Sequence, residues 1–253
     1  MKKLNWLLVF FLILSAMFVV GCSDDDDDNG NGNGPTDPPF EPEEADYFFS
    51  VMDMEDRDEF LIVVYEYEGD PITNLNLLIN GSAVELENMY DVWMTTYSFN
   101  YAQTYNFNLS INRQDYDFNL KIPANLDVDW PDEYNPTEGM VVNWTLNPNE
   151  NSMIQEFAGS SWIWHEDTWE YEIIDDKWVF LEPSVRSFSV PANWLSVQEE
   201  YDFALLEYNF LEENGLIAAA MEISGVTYGD DDDNLRQNLM FKFNEHVYRT
   251  ITK

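Results

Sequence analysis

Phe99-Asn100-Tyr101-Ala102-Gln103-Thr104-Tyr105-Asn106-Phe107-Asn108-Leu109 and, 96 residues on, Leu195-Ser196-Val197-Gln198-Glu199-Glu200-Tyr201-Asp202-Phe203-Ala204-Leu205 share one spacing. Each has an apolar residue, a five-residue gap and then Tyr-x-Phe-x-Leu. Successive side chains of a strand point to opposite faces, so the Tyr, Phe and Leu of each copy line one face. Recurrence at a domain-sized distance predicts two copies of one β unit. The surrounding sequence agrees. Phe60–Tyr67, Leu75–Ile79, Ala83–Leu86, Tyr90–Phe99, Tyr105–Ile111 and Tyr116–Ile122 read as strands, and Asn80-Gly81 is a strong two-residue hairpin signal. After Pro123 a second series follows: Leu126–Trp130, Met140–Leu146, Trp162–His165, Trp169–Ile174, Trp178–Leu181, Val185–Val190, Tyr201–Phe210 and Leu216–Ser224. Glu199–Glu213 can be drawn as a helical wheel, but its aromatic residues favour a strand.

The repeated spacing resembles the tyrosine corner of fibronectin type III and immunoglobulin-like domains, in which a Tyr hydroxyl ties a crossover back to its own backbone. Val141-Val142-Asn143-Trp144 is similar to the tryptophan-bearing early strand of fibronectin type III domains. The resemblance implies an all-β fold of two immunoglobulin-like sandwiches, residues 45–122 and 123–253, joined near Ile122 to Leu126 and with a C-terminal extension after Gly229. It departs from the family pattern between Ser152 and Pro183 and beyond Gly229.

Upstream of these units the texture is different. Lys2 and Lys3 precede an apolar run from Leu4 to Val20, which closes at Gly21 and Cys22. A basic start, a short apolar stretch and a small residue at the break read as a secretory signal peptide, residues 1–21, and not as a spanning helix. Val19-Val20-Gly21-Cys22 resembles the lipobox of bacterial lipoproteins, with Val19 where Leu is usual. The resemblance implies cleavage between Gly21 and Cys22 and lipidation of Cys22, the only Cys in the chain. Several acyl chains, at about 0.8 kcal/mol per buried methylene, make a stable membrane anchor where one would be marginal. Ser23 and Asp24 to Asp28 follow, and resemble the surface-export signal of Bacteroidetes lipoproteins; a plain solvated spacer is the alternative. Residues 22–44 thus read as the lipidated Cys and an acidic, Gly- and Pro-rich linker. Ser23–Glu44 would reach roughly 25 Å as a flexible coil. The implied location is the bacterial cell envelope, at the outer membrane and facing outward if the export signal operates.

Composition narrows the partners. The chain of 253 residues has 49 acidic and 11 basic residues and a formal charge of −38. Loss of Lys2 and Lys3 with the leader leaves 9 cations against 49 anions, a charge of −40. Such a field argues against nucleic acid and against electrostatic docking on anionic lipid. Membrane attachment must then come from lipid.

Chemical motifs are sparse. Asp25, Asp27, Asn29 and Gly30 begin a calcium-loop pattern, but its twelfth position is Thr36 and no helices flank it, so it is rejected. Asp230, Asp231, Asp232, Asp233 and Asn234 form a denser oxygen cluster, a candidate calcium site or a solvated acidic loop. His165 and His246 are the only histidines, which excludes a zinc site built on several His ligands, and Cys22 is already committed. No Gly-x-Ser-x-Gly elbow or phosphate loop occurs, and 49 acids offer too many pairs to rank for glycoside hydrolysis. No catalytic residue is assigned. Seven of the nine Trp residues fall in the second unit. In a hairpin, Trp162 and Trp164 share one face, as do Trp169, Tyr171 and Ile173 on the partner strand. An aromatic surface bordered by acids suits stacking on sugar rings, and the same pattern suits an ordinary sandwich core. The reading is a non-enzymatic binding, adhesive or scaffold module without a cofactor. A glycan-binding accessory protein is the first alternative and an envelope hydrolase the second.

Overall fold

A computed structural model describes residues 45–229, apart from 54–58, 68, 90, 166–169 and 199, and for 164, 165, 170 and 171 it describes the backbone only. The described residues form strands, turns and loops with no helix. The first unit contains β1 (Tyr47–Asp53), β2 (Phe60–Glu66), β3 (Leu75–Ile79), β4 (Ser82–Val84), β5 (Glu87–Met89), β6 (Val92–Tyr97), β7 (Thr104–Ile111) and β8 (Gln114–Lys121). The second contains β9 (Asn125–Asp129), β10 (Met140–Asn147), β11 (Ile154–His165), β12 (Glu170–Leu181), β13 (Ser187–Val190), β14 (Glu200–Glu213) and β15 (Leu216–Tyr228).

In each unit two sheets face each other. The first sets β4-β3-β7-β8 against β1-β2-β6-β5, and the second sets β13-β10-β9 against β12-β11-β14-β15. These strand orders are those of immunoglobulin-like sandwiches, with β7 and β14 in equivalent places. The units also share a sheet. β1 runs parallel to β15, pairing Tyr47 with Leu216 through Met52 with Met221, and so fuses one sheet of each unit into eight continuous strands. Both small sheets lie on the same face of this large one.

Two separate cores result. Phe49, Val51, Ile62, Leu77, Ile79 and Phe107 fill the first, with Leu216, Ala218 and Ala220 of β15 contributing across the join. Val142, Trp144, Phe157, Trp194, Phe203 and Leu205 fill the second. Trp144 is therefore a core residue of β10, as the resemblance implied. In the second core the Phe203 ring stacks on Trp194, 6.3 Å away and inclined by 17°.

The repeated tyrosines do the same work in both cores. Tyr105 Oη accepts from the Asn100 backbone N–H at 2.9 Å and from Asn100 Nδ2 at 3.2 Å. Tyr201 Oη accepts from the Gln198 backbone N–H at 2.6 Å. Each ties the arch entering its strand, β7 or β14, to the buried ring below it.

Turn chemistry follows the sequence. Asn80-Gly81 joins β3 to β4 with φ of 49° and 79°, and Asn214-Gly215 joins β14 to β15 with φ of 51° and 82°. Positive φ at both central residues matches the right-handed twist of the flanking strands, and Gly carries no Cβ to oppose it.

Two parts of the large sheet differ from the sequence reading. Trp162–His165 falls within β11, and the described part of Trp169–Ile174 together with Trp178–Leu181 falls within β12; these strands, of 12 residues each, are paired throughout with one register shift between Ser161 and Trp162. The early half of β11 lacks apolar alternation because its centre is built for close approach. A Cβ on Gly159 would stand 2.5 Å from Trp194 Cζ3 and 2.9 Å from Phe203 Cε1. The second is β1, whose residues from Tyr47 to Met52 are all buried, so that no polar face marks it as a strand.

Candidate functional site

A row of buried polar residues crosses the large sheet between the two cores. Gln155 of β11 lies opposite Glu207 of β14, and Glu207 lies opposite Glu222 of β15. Direct cross-strand partners share a face, and this is the face both small sheets cover. Gln155, Glu207 and Glu222 are at most 4% exposed. Asp53, at the end of β1, completes the row and lies close enough to Glu222 to raise its carboxyl.

The row holds the joint between the units. Gln155 Nε2 donates to Glu207 Oε1 at 2.6 Å, and the backbone N–H of Leu126, at the start of β9, donates to Glu222 Oε1 at 3.3 Å. Tyr101 Oη donates to Asp53 Oδ2 at 3.1 Å. Asn209, two positions beyond Glu207 and on its face, donates through Nδ2 to the Lys121 carbonyl at 2.9 Å and accepts from the Met153 N–H at 2.9 Å. The connection from Lys121 to Leu126 is thus clamped to β14 and β15 on both sides.

Burial sets the protonation of these acids. Desolvation raises the Glu207 carboxyl above its ordinary range, against opposing hydrogen bonds from Gln155 and Ser152 and the field of Arg186. Desolvation also pushes Glu222 well up, and the charge of neighbouring Asp53 adds to it. A buried acid next to another acid is harder to ionise because a second charge there has little water to offset it. Burial thus favours the protonated form of both acids, within a row that ties the two units together. The row lies beneath the chain that joins the units, not in an open cleft, and among the described residues no group of three or more His, Cys, Asp or Glu could hold a metal ion.

The sequence analysis missed this row, although a signal exists. Glu207 interrupts Phe203-Ala204-Leu205-Leu206, and Glu222 follows Ala218-Ala219-Ala220-Met221; both are single acids inside apolar strands. Such an acid is buried and must be paired or protonated.

The aromatic candidates lie at the far end of the β11–β12 hairpin. Trp162 pairs with Ile173 and Trp164 with Tyr171, so the register brings these four positions onto one face. Trp162 is half-buried, whereas Ile173 is 45% exposed. Trp162 also lies opposite Glu200 of β14, which is itself buried. Trp169 falls outside the described residues, as do Gly21, Cys22 and the cluster Asp230, Asp231, Asp232, Asp233 and Asn234. The hairpin and the start of β1 occupy opposite ends of the large sheet. Asp46 and Tyr47 donate to the Gly215 carbonyl at 2.7 and 3.1 Å at one end, and Trp162 pairs with Glu200 at the other.

No family model matches the chain, and no curated protein is similar to it. A solved structure of fibronectin(III)-like modules of Clostridium thermocellum CbhA is 10% identical, with 74% of this chain and 90% of that one covered and a TM-score of 0.22. At that score the likeness adds nothing to the strand orders above, on which the immunoglobulin-like description rests.

Proposed function

We propose that this protein is a lipid-anchored module of a bacterial envelope, attached through Cys22, which holds a binding or scaffold surface away from the outer membrane without catalysing a reaction. The observation that carries this reading is the fused sheet. Two sandwiches that share eight strands and a clamped connection present their loops and edges in one fixed arrangement, which suits display or assembly. The acidic linker supplies distance, and the lipobox-like Val19-Val20-Gly21-Cys22 supplies the attachment. Mass spectrometry of the native N-terminus tests it: a cleaved, acylated Cys22 is expected, with Cys22→Ser leaving the leader in place. An unmodified thiol at position 22 refutes the anchor.

A second reading is favoured by the exposure of Ile173 opposite Trp162. The hairpin end then stacks on a sugar ring. Affinity electrophoresis against a panel of soluble polysaccharides should show retardation that Trp162→Ala abolishes. Equal migration of both proteins in every gel would refute it.

A further inference from the structure

The polar row lies between a floor and a roof that are held with very different strength. Its floor is the large sheet, where β14 pairs with β15 from Tyr201 to Glu213 and with β11 on its other edge. Its roof is the connection from Lys121 to Leu126, in which Ile122 and Ala124 are buried. Two backbone bonds hold the roof to the arch before β7, from the Ala102 N–H to the Pro123 carbonyl and from the Ile122 N–H to the Gln103 carbonyl, both at 2.9 Å. Side chains of the floor add the bonds between Asn209 and the Lys121 carbonyl and between Glu222 and the Leu126 N–H. Between floor and roof, Glu207 and Glu222 are direct cross-strand partners with 1% and 4% exposure. Glu222 Oε2 and Gln155 Oε1 are buried and accept no hydrogen bond. A carboxyl oxygen that accepts nothing is free to carry the acid's own proton.

We propose that Glu207 and Glu222 form a pH-sensitive lock beneath this connection. With both carboxyls neutral the connection lies flat and the two sandwiches move as one body; once both have released their protons to solvent, it lifts and admits water. The groups around the pair set the direction. Asp53 of β1 adds negative charge beside Glu222, Gln155 of β11 is neutral, and β9 presents the Leu126 N–H. Glu156 of β11 lies on the opposite face, where Tyr208 Oη donates to it at 3.3 Å. Lys121 turns its ammonium to Glu150 at 2.7 Å. Arg186, whose field reaches Glu207, donates to the Pro183 and Val185 carbonyls at 2.7 and 2.6 Å. Neither cation forms an ion pair with the row. Two charges side by side in a buried layer repel strongly because little water screens them. Parting β14 from β15 would break a whole ladder, whereas lifting the roof breaks a few bonds, so the strain is relieved at the roof. Burial raises both carboxyls, so the lock holds in acid and loosens as pH rises through that raised range. The parallel pairing of β1 with β15 persists, and the sandwiches gain freedom without coming apart.

Hydrogen exchange of the full chain at pH 5 and pH 8, corrected for the intrinsic change in exchange rate, reads the lock directly. Protection of the Ile122 and Leu126 amides should fall several-fold at the higher pH, while Phe107 and Leu109 in the first core stay protected. Glu207→Gln combined with Glu222→Gln keeps the shape and removes the charge, and should leave protection high and equal at both pH values. A loss that persists in this variant, that spreads evenly over β7, or that is missing from the unsubstituted chain would overturn the lock. Should the double variant fail to fold, NMR of the carboxyl carbons in the unsubstituted chain decides. Glu207 and Glu222 should titrate above the other glutamates, in the range where Leu126 loses protection. Titration of both in the ordinary carboxylate range would refute the proposal.

Discussion

Replacing Tyr105 or Tyr201 by Phe removes one oxygen from each core and leaves the ring, so the change isolates the corner hydrogen bond. Both rings are buried, at 7% and 5% exposure. Tyr201→Phe deprives the Gln198 N–H of its acceptor, and Tyr105→Phe deprives both the N–H and the side-chain amide of Asn100. One hydrogen bond contributes about 0.5 to 1.5 kcal/mol, and a buried donor left without an acceptor costs about 1 to 3. Tyr201→Phe should therefore cost about 1 kcal/mol and Tyr105→Phe about the same, because each orphans one backbone donor while the Asn100 amide can turn to water. For a folded part of this size, 1 kcal/mol moves Tm by about 2 to 4 °C. The two sites lie in different cores with no shared partner, so the double variant should show the sum. The fused sheet adds a sharper expectation: calorimetry should record one transition, and each variant should move it as a whole. Two resolved transitions, each responding to one variant only, would refute energetic coupling through β1 and β15. No shift from either variant would refute the corners as a stabilising device.

Other perturbations follow from the same geometry. Glu207 and Glu222 have raised carboxyls, so the folded chain binds more protons than the unfolded one above the ordinary value of 4.5; their stabilisation is full below that pH and is lost as pH rises through the raised range. Urea midpoints should thus fall from pH 5 to pH 8 with a slope that Glu222→Gln reduces, and an unchanged slope would contradict the clamp. Gly159→Ala forces a methyl against Trp194 and should cost about 1 to 3 kcal/mol in urea unfolding; an unaltered midpoint would show that the packing has slack. Arg113, exposed in the β7–β8 turn, has φ of 76°, a conformation costing an L-residue roughly 1 to 2 kcal/mol, so Arg113→Gly should raise Tm, and a decrease would refute that strain.

The sequence disclosed the sandwiches because their strands are amphipathic. β8 and β10 alternate buried and exposed positions almost without fault, and β7 alternates buried and half-buried ones, so alternation can be read directly. It also disclosed the corners, because a fixed spacing of Tyr, Phe and Leu survives without any knowledge of partners. What stayed hidden has two faces in the interior. β1 as far as Met52 and the first ten residues of β14 are buried, so their sequences carry no polar side to set the period. The same property conceals the fusion of the units: a strand that pairs on both edges looks no different from one that pairs on one. The polar row escaped notice for a related reason. With 49 acids in the chain, Glu207 and Glu222 become distinctive only when the apolar residues on either side are read as strands buried on both faces.

The parallel pairing of β1 with β15 also fixes how the protein would carry a load. Asp46 leads into β1 beside Gly215 at the start of both strands, and the aromatic hairpin lies beyond their far ends. β15 alone spans about 40 Å between those levels, at roughly 3.3 Å for each of its 13 residues. A pull between an anchored N-terminus and an object held at the hairpin acts along the strands. The bonds joining β1 to β2 and to β15 then resist in shear, several at once, instead of opening one after another from an end. Tension thus meets the fold in its strongest direction, and the lifetime of an attachment under flow would be set by release of the ligand before any unravelling of the sheet.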